Sequence, residues 1–116
     1  MPKPVSELPA KQDCEAALAL SEKDFQEWLR QLALTFGYVY YHTHRSQFSP
    51  SGFPDTVLIR LEPIPRLIFA ELKTDDPDSQ PSIDQWLWLY MLQHIPGVEC
   101  YLFRPSDRNW IEELLR

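Results

Sequence analysis

At 116 residues the chain has room for one domain, which buries roughly two-thirds of the surface its unfolded form exposes. With 44% hydrophobic and 24% charged residues it has the composition of an ordinary globular protein, and no apolar stretch reaches the roughly 20 residues of a membrane-spanning helix. A net charge of −6 argues against a broad electrostatic grip on DNA, because Lys and Arg normally supply that affinity.

Residues 1–20 carry Pro2, Pro4 and Pro9 without a clean periodicity and read as a mobile arm; Cys14 to Leu20 has room for a helical turn or two. The start Met1-Pro2-Lys3-Pro4 lacks the apolar core of a signal peptide, which gives a cytosolic expectation. The domain proper is 21–116. Ser21 has the chemistry of an N-cap. Phe25, Trp28, Leu29, Leu32, Ala33 and Phe36 recur at helical spacing, and Gly37 supplies the stop, which predicts a helix from Glu22 to Phe36.

Tyr38 to Thr43 is aromatic and β-branched, a strand pattern, and Arg45 to Gly52 reads as a loop. Asp55 to Leu61 and Leu67 to Lys73 are two further strands. Their connection is short, which predicts an antiparallel pair. An acidic, proline-broken loop runs from Asp75 to Ser82, with Pro81 suited to the first turn of the next helix.

Trp86 to Leu92 is an unbroken apolar run without a β-branched residue. Its span to His94 is too long for a typical strand, so it reads as a helix buried on nearly every side, with a homodimer contact as one way to bury it. Val98 to Phe103 is the last strand, and Ser106 or Asp107 caps a terminal helix ending at Leu115. The expected order is α-β-β-β-α-β-α. Cys14 and Cys100 fit no metal-ligand or redox spacing and read as reduced structural thiols.

The chemistry concentrates at Glu71-Leu72-Lys73. In an extended segment Glu71 and Lys73 share one face about 6.6 Å apart, while Leu72 points the other way. Leu67 and Phe69 lie on the Glu71 face, so that face changes from apolar to ionised as the strand leaves the core. Asp55 opens one strand of the hairpin and Glu71 closes the other, which places both at one end of the sheet. Glu22 lies about 60° around its helix from Phe25 and faces the general side of the core stripe; Gln26 stands one turn later. Carboxylates holding a divalent ion beside a lysine have the makings of a phosphodiester hydrolase, and acids that add to the negative charge on paper are neutralised by the ion they bind.

Gly52-Phe53-Pro54-Asp55, Phe69-Ala70-Glu71-Leu72-Lys73, Gln85 with Trp88-Leu89, and Tyr101 to Asp107 occur in this order. Together they resemble the VRR-NUC domain of the PD-(D/E)XK nuclease superfamily, from about Glu22 to the C-terminus. The resemblance implies a restriction-endonuclease-like α/β fold, a mixed central sheet flanked by helices. It also implies an Mg²⁺ or Mn²⁺ site of Glu22, Asp55, Glu71 and the Leu72 carbonyl, with Asp55, Glu71 and Lys73 catalytic. Gln85 matches a glutamine the family carries on the helix after the lysine, and Tyr41-His42-Thr43 a run it often has before the first motif. Small stand-alone members occur in phages and bacteria, and some are similar to Holliday-junction resolvases that act as dimers. The implied activity is therefore endonucleolytic cleavage of DNA, branched DNA above all, in the cytoplasm of a bacterial or phage-infected cell.

Gln26, His42, Arg45, Gln85 and Arg104 are candidate substrate contacts. Each has an ordinary counterpart: His42 as a packed side chain, Arg45 and Arg104 as plain surface charge. His42 and His44 share a strand face as zinc ligands can, yet nothing at recognisable spacing completes a tetrahedral set. Asp75, Asp76 and Asp78 read as a solvated loop. Trp86, Trp88 and Tyr90 fit core or dimer packing better than base stacking. The competing functional reading is a non-catalytic nucleic-acid-binding or protein-interaction domain on the same fold.

Overall fold

The computed structural model describes residues 20–44 and 48–116. Residues 1–19 of the expected arm, Cys14 among them, and Arg45 lie outside the described residues. The elements run α1 (Glu22–Thr35), β1 (Val39–His42), β2 (Thr56–Arg60), β3 (Arg66–Leu72), α2 (Ile83–Gln93), β4 (Val98–Phe103), a single 3₁₀ turn (Pro105–Asp107) and α3 (Arg108–Leu115). This is the expected order with the 3₁₀ turn added.

The four strands lie in sequence order. The pairs β1–β2 and β2–β3 are antiparallel, whereas β3–β4 is parallel, with α2 making the crossover. The molecule is therefore a mixed α/β fold. Alternation along β3 sorts the two faces. Ile68, Ala70 and Leu72 are fully buried and join Phe25, Leu29 and Ala33 of α1, Leu58, Phe103, and Ile111 and Leu115 of α3 in one core. Leu67, Phe69 and Glu71 take the opposite face, where α2 packs.

Local chemistry explains the element ends. Ser21 accepts a hydrogen bond from the Asp24 N–H, and Gly37 takes φ +86°, the left-handed conformation open to a residue without Cβ. Tyr38 N–H then reaches Ala33 O and Gly37 N–H reaches Leu34 O, closing the helix in a Schellman motif. Arg60 donates to Phe36 O and Leu115 O, both at 3.0 Å. One cation thus satisfies carbonyls at the C-terminal ends of α1 and α3.

Two readings at helix starts need correction. Pro81 lies outside the first turn of α2: Ser82 is the N-cap, and its hydroxyl accepts from Gln85 N–H while the Gln85 side chain accepts from Ser82 N–H. Asp107 stands at the N-cap of α3 yet caps nothing there, its carboxylate accepting from Arg104 N–H and closing the 3₁₀ turn instead.

The larger correction concerns α2. Of its apolar residues only Leu89 is buried, while Ile83 is 78%, Leu87 52%, Tyr90 58% and Met91 51% exposed. A helix laid on one sheet face buries one stripe, and among the described residues no further layer covers the rest.

Candidate active site

The β2–β3 register pairs Thr56 with Ala70, so the residue before Thr56 stands opposite the residue after Ala70. Asp55 and Glu71 meet in this way at one end of the sheet, on the face shared with α2. An Asp55 carboxylate oxygen accepts from Leu72 N–H at 3.0 Å, and Asp55 O accepts from Thr43 N–H at 2.7 Å. The backbone of β3 thus orients the side chain, and the end of β1 holds the main chain.

Glu71 is fully buried. Its Oε1 accepts from Gln85 Nε2 at 2.8 Å and lies 4.0 Å from Lys73 Nζ. Its Oε2 has no hydrogen-bond partner. Burial and the neighbouring Asp55 carboxyl push the Glu71 pKa up to about 9, and Lys73 only partly opposes this. A buried oxygen without a donor is costly, and two carboxyls in this arrangement favour a shared proton or a cation. The hard oxygen donors suit Mg²⁺ or Mn²⁺.

The loop that delivers Asp55 is docked onto the start of α2. Gly52 lies so close that a Cβ would stand 2.6 Å from the Asp84 carbonyl carbon. The Ser51 hydroxyl donates to the Asp84 carboxylate, and Trp88 Nε1 donates to Ser51 O at 3.0 Å. Phe53 packs edge-on between Trp88 and Phe69, with ring centroids 5.1 and 5.8 Å away. Glycine permits the approach, phenylalanine anchors it, Pro54 is buried, and Asp55 arrives at the carboxylate pair. Gln85 joins both sides: its Oε1 closes the α2 capping box while its Nε2 holds Glu71.

Asp55, Glu71, Lys73 and Gln85 therefore come together, and Leu72 contributes its N–H to the same cluster. Glu22 does not join them. It is exposed in the first turn of α1, where Cα–Cβ bonds tilt toward the helix N-terminus, so its side chain leaves the core stripe it was expected to share. Among the described residues no group of three or more His, Cys, Asp and Glu is placed to hold one ion; the convergent acids are a pair.

Gln26 Nε2 lies 3.2 Å from His42 Nδ1. His42 pairs with Thr56 and so takes the α1 face, at the site end of the sheet but across it from Glu71. Arg104 is a structural residue, because its terminal nitrogens donate to Thr74 O and Gln80 Oε1 and so tie down the loop that follows Lys73. Asp75 in that loop accepts from both N–H and hydroxyl of Ser106. Cys100 is a buried free thiol, raised in pKa by that burial. The Ser51–Asp84 and Gly52–Asp84 contacts carry no sequence signal, although Ser82-x-x-Gln85 has the capping-box signature that places Gln85. No protein-family model, curated protein or solved structure matches the chain.

Proposed function

We propose that this protein is an Mg²⁺- or Mn²⁺-dependent deoxyribonuclease of the restriction-endonuclease-like kind, related to the VRR-NUC family that its motifs resemble. The observation that carries the reading is the fully buried Glu71, with one oxygen unpartnered, placed beside Asp55 and Lys73. Asp55, Glu71 and the Leu72 carbonyl would hold the ion, which supplies charge compensation at the phosphate and an acidified water. Asp55 is held by Leu72 N–H and Glu71 by the Gln85 amide, so the two acids are oriented in advance. Lys73 orients the attacking water and offsets charge developing on the phosphate. Glu22, exposed one helix turn before Gln26, would join the site only by turning its side chain toward the carboxylate pair.

Branched DNA and a two-fold dimer belong to the same proposal. The exposed apolar side of α2, with a groove of about 420 Å³ lined by Ile83, Trp86, Leu87, Leu89, Tyr90 and Cys100 among others, is the surface that supports dimerisation. The same surface favours the second reading, an interaction domain whose partner is another protein. A cytoplasmic setting fits the nuclease reading, and no described helix is long and apolar enough to cross a membrane.

The deciding experiment incubates linear, nicked and four-way DNA with the protein in Mn²⁺ and in EDTA. Cleavage confined to Mn²⁺ is expected, with four-way DNA preferred. Undiminished cutting in EDTA, or no cutting of any DNA, removes the proposal and leaves the interaction domain.

A further inference from the structure

A nuclease this acidic needs cations that are not already committed, and the described arginines are almost all engaged. Arg30 holds Glu27, Arg60 the helix-end carbonyls, Arg66 Glu99, Arg104 the Thr74–Gln80 loop and Arg116 Glu112. Arg108 differs. Its Nε donates to Pro105 O at 3.1 Å, and among the described residues its two terminal nitrogens hold no oxygen.

Arg108 opens α3, whose first turn carries no acid. A cation there opposes the helix dipole, so helix stability does not explain it. With Ser106, Asn109 and Glu112 it lines a small hollow of about 160 Å³ between α3 and α1. Trp28 of α1 forms the facing wall. Phe25, fully buried, stacks on that indole at 5.9 Å and 15°, which fixes the ring that lines the hollow. The one acid in the lining, Glu112, is paired with Arg116 at 3.0 Å. The hollow adjoins the active end of the sheet: Ser106 in its wall is bound by Asp75, two residues beyond Lys73.

An uncommitted guanidinium, a primary amide and a stacked indole around a small cavity suit a phosphate with a flat base attached. We propose that this hollow receives one nucleotide of an unpaired DNA strand, its phosphate on Arg108 and Asn109 and its base against Trp28. The proposal rests on the nuclease reading and deepens it, because it gives the site a hold on the single-stranded part of a branched substrate.

The test is fluorescence anisotropy of a labelled 12-nucleotide single strand and of a four-way junction, in EDTA so that nothing is cut. Arg108→Gln is expected to weaken single-strand binding about tenfold and to lower the magnitude of its salt slope by about 0.7, the contribution of one phosphate. Trp28→Leu is expected to lose about tenfold through stacking, with circular dichroism confirming that the variant is folded; Arg108→Gln, at a partly buried position outside the core, carries the test if it is not. Affinities within twofold of the wild type for Arg108→Gln, or a wild type that binds no oligonucleotide, overturn the hollow as a nucleotide site. Failure of the nuclease reading looks different: binding that depends on Arg108 and no Mn²⁺-dependent cleavage.

Discussion

Glu71 shows how a single carboxyl couples this fold to its proposed chemistry. The folded protein retains its proton up to about pH 9, against 4.5 for an unperturbed glutamate. Between those values the folded state binds more protons than the unfolded chain, so the contribution of Glu71 to stability is complete below about pH 4.5 and is lost as pH rises to about 9. Metal-free protein should therefore lose Tm from pH 5 to pH 9. Glu71→Gln should flatten that decline and raise Tm at pH 8.5 in EDTA by about 5 °C or more, since the amide folds without having to take up a proton. Calorimetry across pH checks this, and an unchanged slope in the variant would assign the dependence to other groups. Added Mn²⁺ should raise the Tm of the wild type at pH 8.5 and leave Glu71→Gln nearly unmoved, because the ion replaces the proton on the carboxyl pair.

Lys73 is the second residue whose role separates cleanly. Its ammonium is 4.0 Å from Glu71 Oε1, and its backbone N–H is held by Phe103 O at 3.1 Å, so side-chain substitution leaves the strand anchored. A group that acts mainly in the transition state lowers kcat without weakening ground-state binding. Lys73→Ala and Lys73→Met should each lower cleavage at saturating DNA about a hundredfold or more, with DNA affinity in EDTA nearly unchanged. Cutting at the wild-type rate by either variant would make Lys73 a strand residue with no catalytic part.

Among the elements, the contact that matters most for the site is between the 51–54 loop and the start of α2. Gly52 combines φ +94° with a Cβ position 2.6 Å from Asp84 backbone, so Gly52→Ala meets both backbone strain and collision. It should cost about 2 kcal/mol or more, read as a Tm lower by roughly 10 °C. Ser51→Ala, which removes an exposed hydrogen bond, should cost under about 1 kcal/mol. Equal effects of the two would mean that the loop is not seated as described.

That dock also marks where sequence reasoning stops. The strands, the hairpin between β2 and β3, and the meeting of Asp55 with Glu71 were legible because period-two alternation and a short connection fix the register. The Ser51–Asp84 contact joins residues 33 apart, both exposed, and neither periodicity nor burial marks such a pair. Arg104, read as a phosphate contact or plain surface charge, donates instead to oxygens of the 74–80 loop, a contact that no pattern announces. Glu22 stands exposed, where a core-facing side was expected, because the angle around a helix predicts a side of the helix and says nothing about where the sheet beneath it ends. Pattern could give α2 as a helix, but its burial depends on what lies beyond one sheet face.

At the scale of the whole molecule, two apolar surfaces stand open among the described residues. One is the outer side of α2. The other is the part of the same sheet face that α2 does not cover, where Val39 is 65% and Tyr41 57% exposed. The α2 surface is the better dimer contact. Ile83, Leu87, Tyr90 and Met91 project from one rigid helix, and the one charged side chain in Ile83–Gln93 is Asp84 in its first turn, which accepts from Ser51, so two copies related by a two-fold axis bring little charge into the contact despite −6 each. A stable interface needs on the order of 800 Å² per partner, more than one side of an 11-residue helix about 16 Å long supplies, so the contact has to take in the flanking groove and the exposed side chains around it. Light scattering should give the mass of two chains. Leu87→Glu, at a half-exposed position where a lone molecule tolerates charge, should give one chain with the fold intact. If the dimer places two sites on a branched substrate, that variant should also turn paired incisions of four-way DNA into single nicks while still cutting linear DNA. A wild-type monomer at working concentration, or equal rates on linear and four-way DNA, would remove both the dimer and the branched-substrate preference while leaving the carboxylate chemistry to be judged by its own tests.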